Sequence, residues 1–263
     1  MLNIFIYSGG IFVRDFLIAK NAGGGIFTPS VRVEDCENIK IAYVKDNLRS
    51  AGKLYDIAEG KTVLLDKGCL RKCGAYKKCT EYSQELFLPV LDKIVSSVAK
   101  KYFTALPIEE IYIKADPICG AGIIYAIRKL ARLFTVVSPI ETVGKMYDEL
   151  YFNHGCVIRH IPSFNNGDWE NAMVIKCDGE DELPPWISCP VISLDGRTLS
   201  AEKTFSAKDM HITDENTREI ERLLGVKSGA PLYTALESTP CENAEVYISE
   251  KCSEIFTLDI GEI

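Results

Sequence analysis

The sequence predicts an α/β protein organised around a mostly parallel sheet over about residues 108–196. A β-rich N-terminal part precedes the sheet, and a C-terminal helix plus β-hairpin follows it. Three observations support this. Strand-like apolar runs alternate with amphipathic helical stretches between 108 and 155, the helices begin and end on capping residues, and the connections at 162–171 and 178–189 are too short for more than a turn or two of helix.

From the N-terminus, Asn3–Tyr7 and Ile11–Leu17 flank Ser8-Gly9-Gly10 and read as a hairpin. Strands at Val31–Val33, Ile39–Val44 and Thr62–Asp66 follow, with a helix over 47–58 bounded by Gly60. Residues 83–103 carry the longest helical pattern, with Phe87, Val90, Leu91, Ile94, Val95 and Val98 on one side. Pro89 inside it requires the helix to start near that point or to kink.

Glu110–Ala115 is the first strand of the central region. Asp116-Pro117 ends it, and the small-residue turn Cys119-Gly120-Ala121-Gly122 leads into a helix that closes on Arg128, Lys129 and Arg132. Leu133–Val137 is the next strand. Ser138, Pro139 and Glu141 then have the pattern of an N-cap, a first-turn proline and a capping box for a helix whose stripe is Val143, Met146, Tyr147, Leu150 and Tyr151, with Gly155 as its stop. Strands at Cys156–Ile161, Ala172–Cys177 and Pro190–Asp195 complete a Rossmann-like order of elements. Thr213 is expected to cap a helix through Leu224, and Ala244–Ser249 with Glu254–Ile260 to form a terminal hairpin that can return to the N-terminal strands. The expected parts are therefore 1–105, 106–200 and 201–263.

The 263 residues carry 30 Lys+Arg against 37 Asp+Glu, a net charge of −7, and 47% are hydrophobic. This composition excludes disordered and fibrous classes. It also argues against general nucleic-acid binding, which needs a concentrated basic surface. No segment approaches the length of a membrane span, and Met1–Tyr7 reads as a strand and not a signal peptide. Ten cysteines without a secretion signal point to reduced thiols and a cytoplasmic location. A small-molecule ligand is the expected partner, and homo-oligomerisation is left open.

Open α/β sheets bind ligands beyond the carboxyl ends of their strands. The residues placed there are Asp116, Cys119, Gly120 and Gly122 after the first strand, Ser138 after the second, Asp178 and Gly179 after the fourth, and Asp195 after the fifth. Glycines at a helix start would let a ligand phosphate approach free N–H groups, so a nucleotide or dinucleotide is the cofactor class this edge suggests. The dinucleotide fingerprint is incomplete, because Tyr125 stands at the third glycine position and Ser138 where a ribose-binding acid would be. Asp116, Asp178 and Asp195 could also converge on Mg²⁺, although for each alone a role in a local turn is the simpler account.

Cys69, Cys73 and Cys79 fall within eleven residues among cations that would lower thiol pKa values. A zinc or iron–sulfur site, or a redox sensor, is the alternative they raise. Their C-x₃-C-x₅-C spacing matches no common ligand pattern, and buried apolar thiols are the plainer reading. Gly60-Lys61-Thr62 looks like the tail of a phosphate loop, but Tyr55 occupies the place of the first glycine and a strand follows. His154, His160 and His211 have no nucleophile or carboxylate beside them in sequence. The leading expectation is a protein that binds a small anionic or nucleotide-like ligand at the strand edge, whether or not it acts on it. A metal or redox protein, and a non-catalytic interaction protein with a degenerate Rossmann-like domain, are the alternatives.

Overall fold

The structure is a computed structural model that describes residues 16–22, 31–36, 39–66, 69–71, 74–79, 84–140, 144–165, 169–177, 183–195 and 203–259. Among these the chain runs β1 (Phe16–Asn21), β2 (Val31–Cys36), β3 (Ile39–Val44), α1 (Leu48–Ala58), β4 (Thr62–Leu65), β5 (Tyr76–Lys78), a 3-10 helix (Gln84–Val90) and α2 (Leu91–Tyr102). It continues through β6 (Ile108–Lys114), α3 (Pro117–Ile127), β7 (Ala131–Val137), α4 (Gly144–His154), β8 (Val157–Ile161), β9 (Ala172–Lys176) and β10 (Val191–Ser193). Then come β11 (Thr204–Ser206), β12 (Met210–Thr213), α5 (Glu215–Leu224), α6 (Ala230–Ala235), β13 (Glu245–Lys251) and β14 (Phe256–Leu258). The expected N-terminal hairpin lies outside the described residues, apart from its last two positions.

Contacts divide the chain into two units. One comprises residues 1–83, 213–241 and 252–263, the other 84–212 and 242–251. The first unit holds a mixed sheet in the order β2-β3-β1-β4-β14-β5. β1 runs parallel to β3 and β4, while β14 is antiparallel to both β4 and β5. Side-chain alternation gives this sheet two apolar faces. Leu17, Ala19, Val63 and Leu65 pack with Ala51, Leu54 and Ala58 of α1, and Ile18 and Leu64 pack with Ile220 and Leu224 of α5 and Leu232 and Ala235 of α6. α1 starts where Asn47 accepts the Ser50 N–H at 2.9 Å, and it stops at Glu59 and Gly60, both with positive φ (51° and 81°).

The expected cap of α5 needs correction. Thr213 ends β12 and donates its hydroxyl to Glu221, whereas Asp214 does the capping, accepting the Thr217 N–H at 3.0 Å and the Cys241 N–H at 3.1 Å. Burial opposes ionisation of Asp214, but these N–H groups together with the Thr217 and Tyr233 hydroxyls outweigh it and hold the carboxyl below the ordinary aspartate value. The expected terminal hairpin does not form. β13 pairs with β12 in a two-stranded sheet of the second unit, and β14 inserts between β4 and β5 of the first.

The second unit holds a six-stranded, all-parallel sheet in the order β11-β10-β9-β6-β7-β8. Pro89 falls in the 3-10 turn, and the regular helix begins two residues later at Leu91, because proline removes a backbone donor and clashes with the preceding turn. Leu91, Ile94, Val95 and Val98 are fully buried along α2. α2 packs on α3, and α3 on β7. The opposite face of the sheet carries Tyr112, Val137, Val174 and Val191, and Trp169, Ile187 and Cys189 from the connecting segments cover it. α4 is described from Gly144, and Pro139 and Ile140, directly after the expected cap Ser138, form a bend and not a first helical turn. Residues 141–143 lie outside the described set, and Gly155 ends the helix with φ +67° as its position predicts.

Candidate functional site

In the parallel sheet the chain starts at β6, adds β7 and β8 on one side, then crosses back to add β9, β10 and β11 on the other. The order reverses between β6 and β9, where Lys114 and Lys176 are register partners at the strand ends. Crossovers leave in opposite directions there, which is the position at which open α/β sheets generally place their ligands.

Asp116 leaves β6 in extended conformation (φ −61°, ψ 155°) and caps α3, its Oδ1 accepting the N–H of Ile118 at 2.9 Å and of Cys119 at 3.1 Å. Pro117 has no N–H, and the Gly120 N–H donates to the Asp116 carbonyl at 2.8 Å. The donors of the first turn are thus already engaged. The expected small-residue turn is in fact the first two turns of the helix itself, so Gly120 and Gly122 are helical residues and not an open cradle.

The two glycines differ. A Cβ on Gly120 would lie 3.4 Å from the Tyr147 hydroxyl oxygen and 3.5 Å from Val136, whereas one on Gly122 would meet nothing within 4 Å. Gly122→Ala is therefore expected to stabilise the protein by about 1 kcal/mol through helix propensity, read as a higher midpoint in urea denaturation. A loss of stability would mean that the position is not helical in solution. Tyr147 donates its hydroxyl to the Pro117 carbonyl at 2.9 Å and so ties α4 to the start of α3. Burial, helped by Asp116 and Cys119, pushes this phenol up to about 12 and keeps it a donor. Cys119 is half-buried and directs its thiol at the Gln84 side chain, 3.8 Å away.

Ser138 follows β7 and is buried, its N–H donating to the Ile161 carbonyl at 3.0 Å and its Oγ accepting the Ile140 N–H at 3.2 Å. Asp195, beyond β10, is the partner of a residue the sequence reading passed over. Lys176 Nζ lies 2.5 Å from Asp195 Oδ2, with both side chains buried (1% and 5% exposed), and the Ser193 hydroxyl donates to Asp195 Oδ1. The signal was present: Lys176 is the one charge in the run Ala172–Cys177, at the end of a strand buried throughout. A lysine there needs a fixed anion, because an unpaired buried ammonium is strongly unfavourable. Asp178 and Gly179 lie outside the described residues.

Asp116, Ser138, Lys176 and Asp195 thus stand at the carboxyl ends of β6, β7, β9 and β10, and Ile118 and Ile140 are exposed (71% and 58%). Cys69 is buried in the core on the α1 face of the mixed sheet, while Cys79 packs against the α5–α6 core on the other face. Cys73 lies outside the described residues, among which no group of three His, Cys, Asp or Glu side chains could hold a metal ion. Burial pushes the Cys79 thiol up, against the hydrogen bond to Thr257 and the Lys77 charge, so desolvation and not the neighbouring cations decides its state. The Nε2 of His160 is buried.

Comparison with protein-family models, curated proteins and solved structures finds no match to this chain, and the reading of the edge rests on its own geometry.

Proposed function

We propose that this protein binds a small nucleotide-like ligand at the carboxyl edge of a Rossmann-like sheet. The observation that carries the reading is the reversal of strand order between β6 and β9 in a sheet of six parallel strands, with polar side chains at the ends of the four strands β6, β7, β9 and β10 along that edge. In the sheet's own chain order the strands run 3-2-1-4-5-6 from one edge, the order in which such sheets bind dinucleotides across the reversal point. The capped start of α3 favours a nucleoside-bearing ligand over a bare anion. Asp116 already fills that helix terminus with negative charge, while its second carboxylate oxygen suits a ribose or amino group, and exposed Ile118 and Ile140 suit a base.

Thermal unfolding against adenine nucleotides, NAD(H), NADP(H) and S-adenosylmethionine, with and without Mg²⁺, tests the reading. A ligand at about 100 times its Kd adds roughly 2.7 kcal/mol to the native state, which raises the midpoint by about 5–10 °C. Asp116→Asn keeps an N-cap acceptor and removes the charge, so it is expected to unfold near the wild-type temperature while binding the same ligand about tenfold more weakly, the equivalent of ~1.4 kcal/mol. No shift across the panel, or a shift that Asp116→Asn leaves unchanged, overturns the assignment.

A further inference from the structure

The first unit contains a cleft of about 480 Å³, within the range that holds small molecules. It is bordered by the end of α1, the β4–β14–β5 side of the mixed sheet and the end of α6, and its lining includes Lys61, Thr62, Lys77, Cys79, Thr234 and Thr257. The polar floor follows from strand alternation and register. Phe256 and Leu258 pack into the α1-side core, which turns Thr257 to the other face. Thr257 pairs with Lys77 on one side and with Leu64 on the other, and Leu64 belongs to the α6-side core together with Cys79. Thr62, two residues before Leu64, shares that face. A sheet face covered by a helix is ordinarily apolar. Here it carries two hydroxyls, an ammonium and a thiol.

The charge lining the cleft is positive on balance. Three lysines, Lys61, Lys77 and Lys78, and one carboxylate, Glu237, line it, and Lys78 also meets Glu254 at 2.5 Å. Among the described residues Lys77 has no ion-pair partner. The Thr234 hydroxyl oxygen is buried and has no hydrogen-bond partner among the described residues, an arrangement that costs stability unless something in the cleft satisfies it. Cys79, kept as a neutral thiol by burial, adds no negative charge. Gly60-Lys61-Thr62 lies at this cleft, and the strand that follows it is β4, so its lysine is presented from a strand end and not from a phosphate loop.

We propose that this cleft is a second ligand site, separate from the sheet edge, which takes a small molecule bearing a phosphate or carboxylate group, with Lys77 and Lys61 as its cationic contacts and Thr62, Thr234 and Thr257 as its hydroxyl contacts. Pairing an oxyanion with ammonium and hydroxyl donors in a partly enclosed site gives charge-assisted hydrogen bonds, the stronger kind. The site requires no metal and no residue of the second unit.

Isothermal titration of the full chain with pyrophosphate and, separately, with citrate tests the proposal and distinguishes the two anion chemistries. Alkylation of Cys79 by N-ethylmaleimide, followed by peptide mass spectrometry, locates the binding. The expected result is saturable binding of at least one probe, weakened tenfold or more in Lys77→Ala and several-fold in Thr234→Val, with Cys79 alkylated more slowly when the probe is bound. Circular dichroism of each variant establishes that it is folded, and Thr234→Ser, which keeps the hydroxyl, is expected to bind like wild type. Absence of saturable binding of either probe overturns the proposal. So does binding that Lys77→Ala leaves unchanged with no protection of Cys79, which would place the anion elsewhere on the chain.

Discussion

Replacing Lys176 by Met while Asp195 stays in place is expected to destabilise the protein by roughly 3–5 kcal/mol, because it leaves a carboxylate in the interior with its cation gone. For a chain of this size that lowers the thermal midpoint by about 10 °C. The size of the effect comes from desolvation and not from the strength of the attraction. Both side chains are almost wholly withdrawn from water, so neither can be rehydrated when the other is removed. The double variant Lys176→Met/Asp195→Asn is expected to recover about half of the loss, since the amide carries no charge and still accepts the Ser193 hydroxyl. A double-mutant cycle in urea gives the coupling directly. A cost below about 1 kcal/mol for Lys176→Met would show that the pair is solvated, a surface ion pair being worth no more than that. The pair matters for the proposed ligand site because it joins the ends of β9 and β10 at the carboxyl edge.

Trp169→Ala is expected to cost about 3–5 kcal/mol, the range for deleting a large buried aromatic side chain. The indole sits in a cluster with Tyr112 and Phe164, ring centroids 4.8 and 6.1 Å away, on the sheet face that connecting segments cover. Among the described residues this cover forms no strand of the sheet, and its attachment depends on side chains like this one. Trp169→Phe is expected to cost less than about 1.5 kcal/mol. It keeps an aromatic ring in the cluster and removes an indole N–H that is buried and has no partner among the described residues. Circular dichroism of both variants during urea denaturation measures the difference. Equal losses would mean that the whole indole, and not ring burial alone, holds the segment down.

What local sequence determined here are the features whose physics acts within a turn or a strand. The break at Pro89 and the left-handed stop at Gly155 are single-residue effects on φ, ψ and nearby N–H groups, and each lies where the residues indicated. Ala172–Lys176, within the mostly apolar run to Cys177, is a strand for the same reason, since its side chains have nowhere to go but two buried faces. At Ser138, Thr213 and Cys119–Gly122 local reading misplaced the cap or the turn. Serine, threonine and glycine are compatible with several backbone states, and the strand or helix they joined was chosen by neighbours distant in sequence.

Tertiary structure decided everything that depends on pairing. β13 and β14 have the look of a hairpin, yet they join different sheets, because a strand's apolar face does not name the partner that will cover it. The Lys176–Asp195 pair spans 19 residues, and Lys78–Glu254 spans 176. Both involve long side chains whose partners are set by strand order, which single-residue preferences do not encode. The cleft lined by Lys61, Lys77, Thr234 and Thr257 is the extreme case, assembled from four separate segments of the first unit. Periodicity marks which residues turn inward. Only the folded chain, where burial of one element's face selects the element that covers it, decides which of them meet.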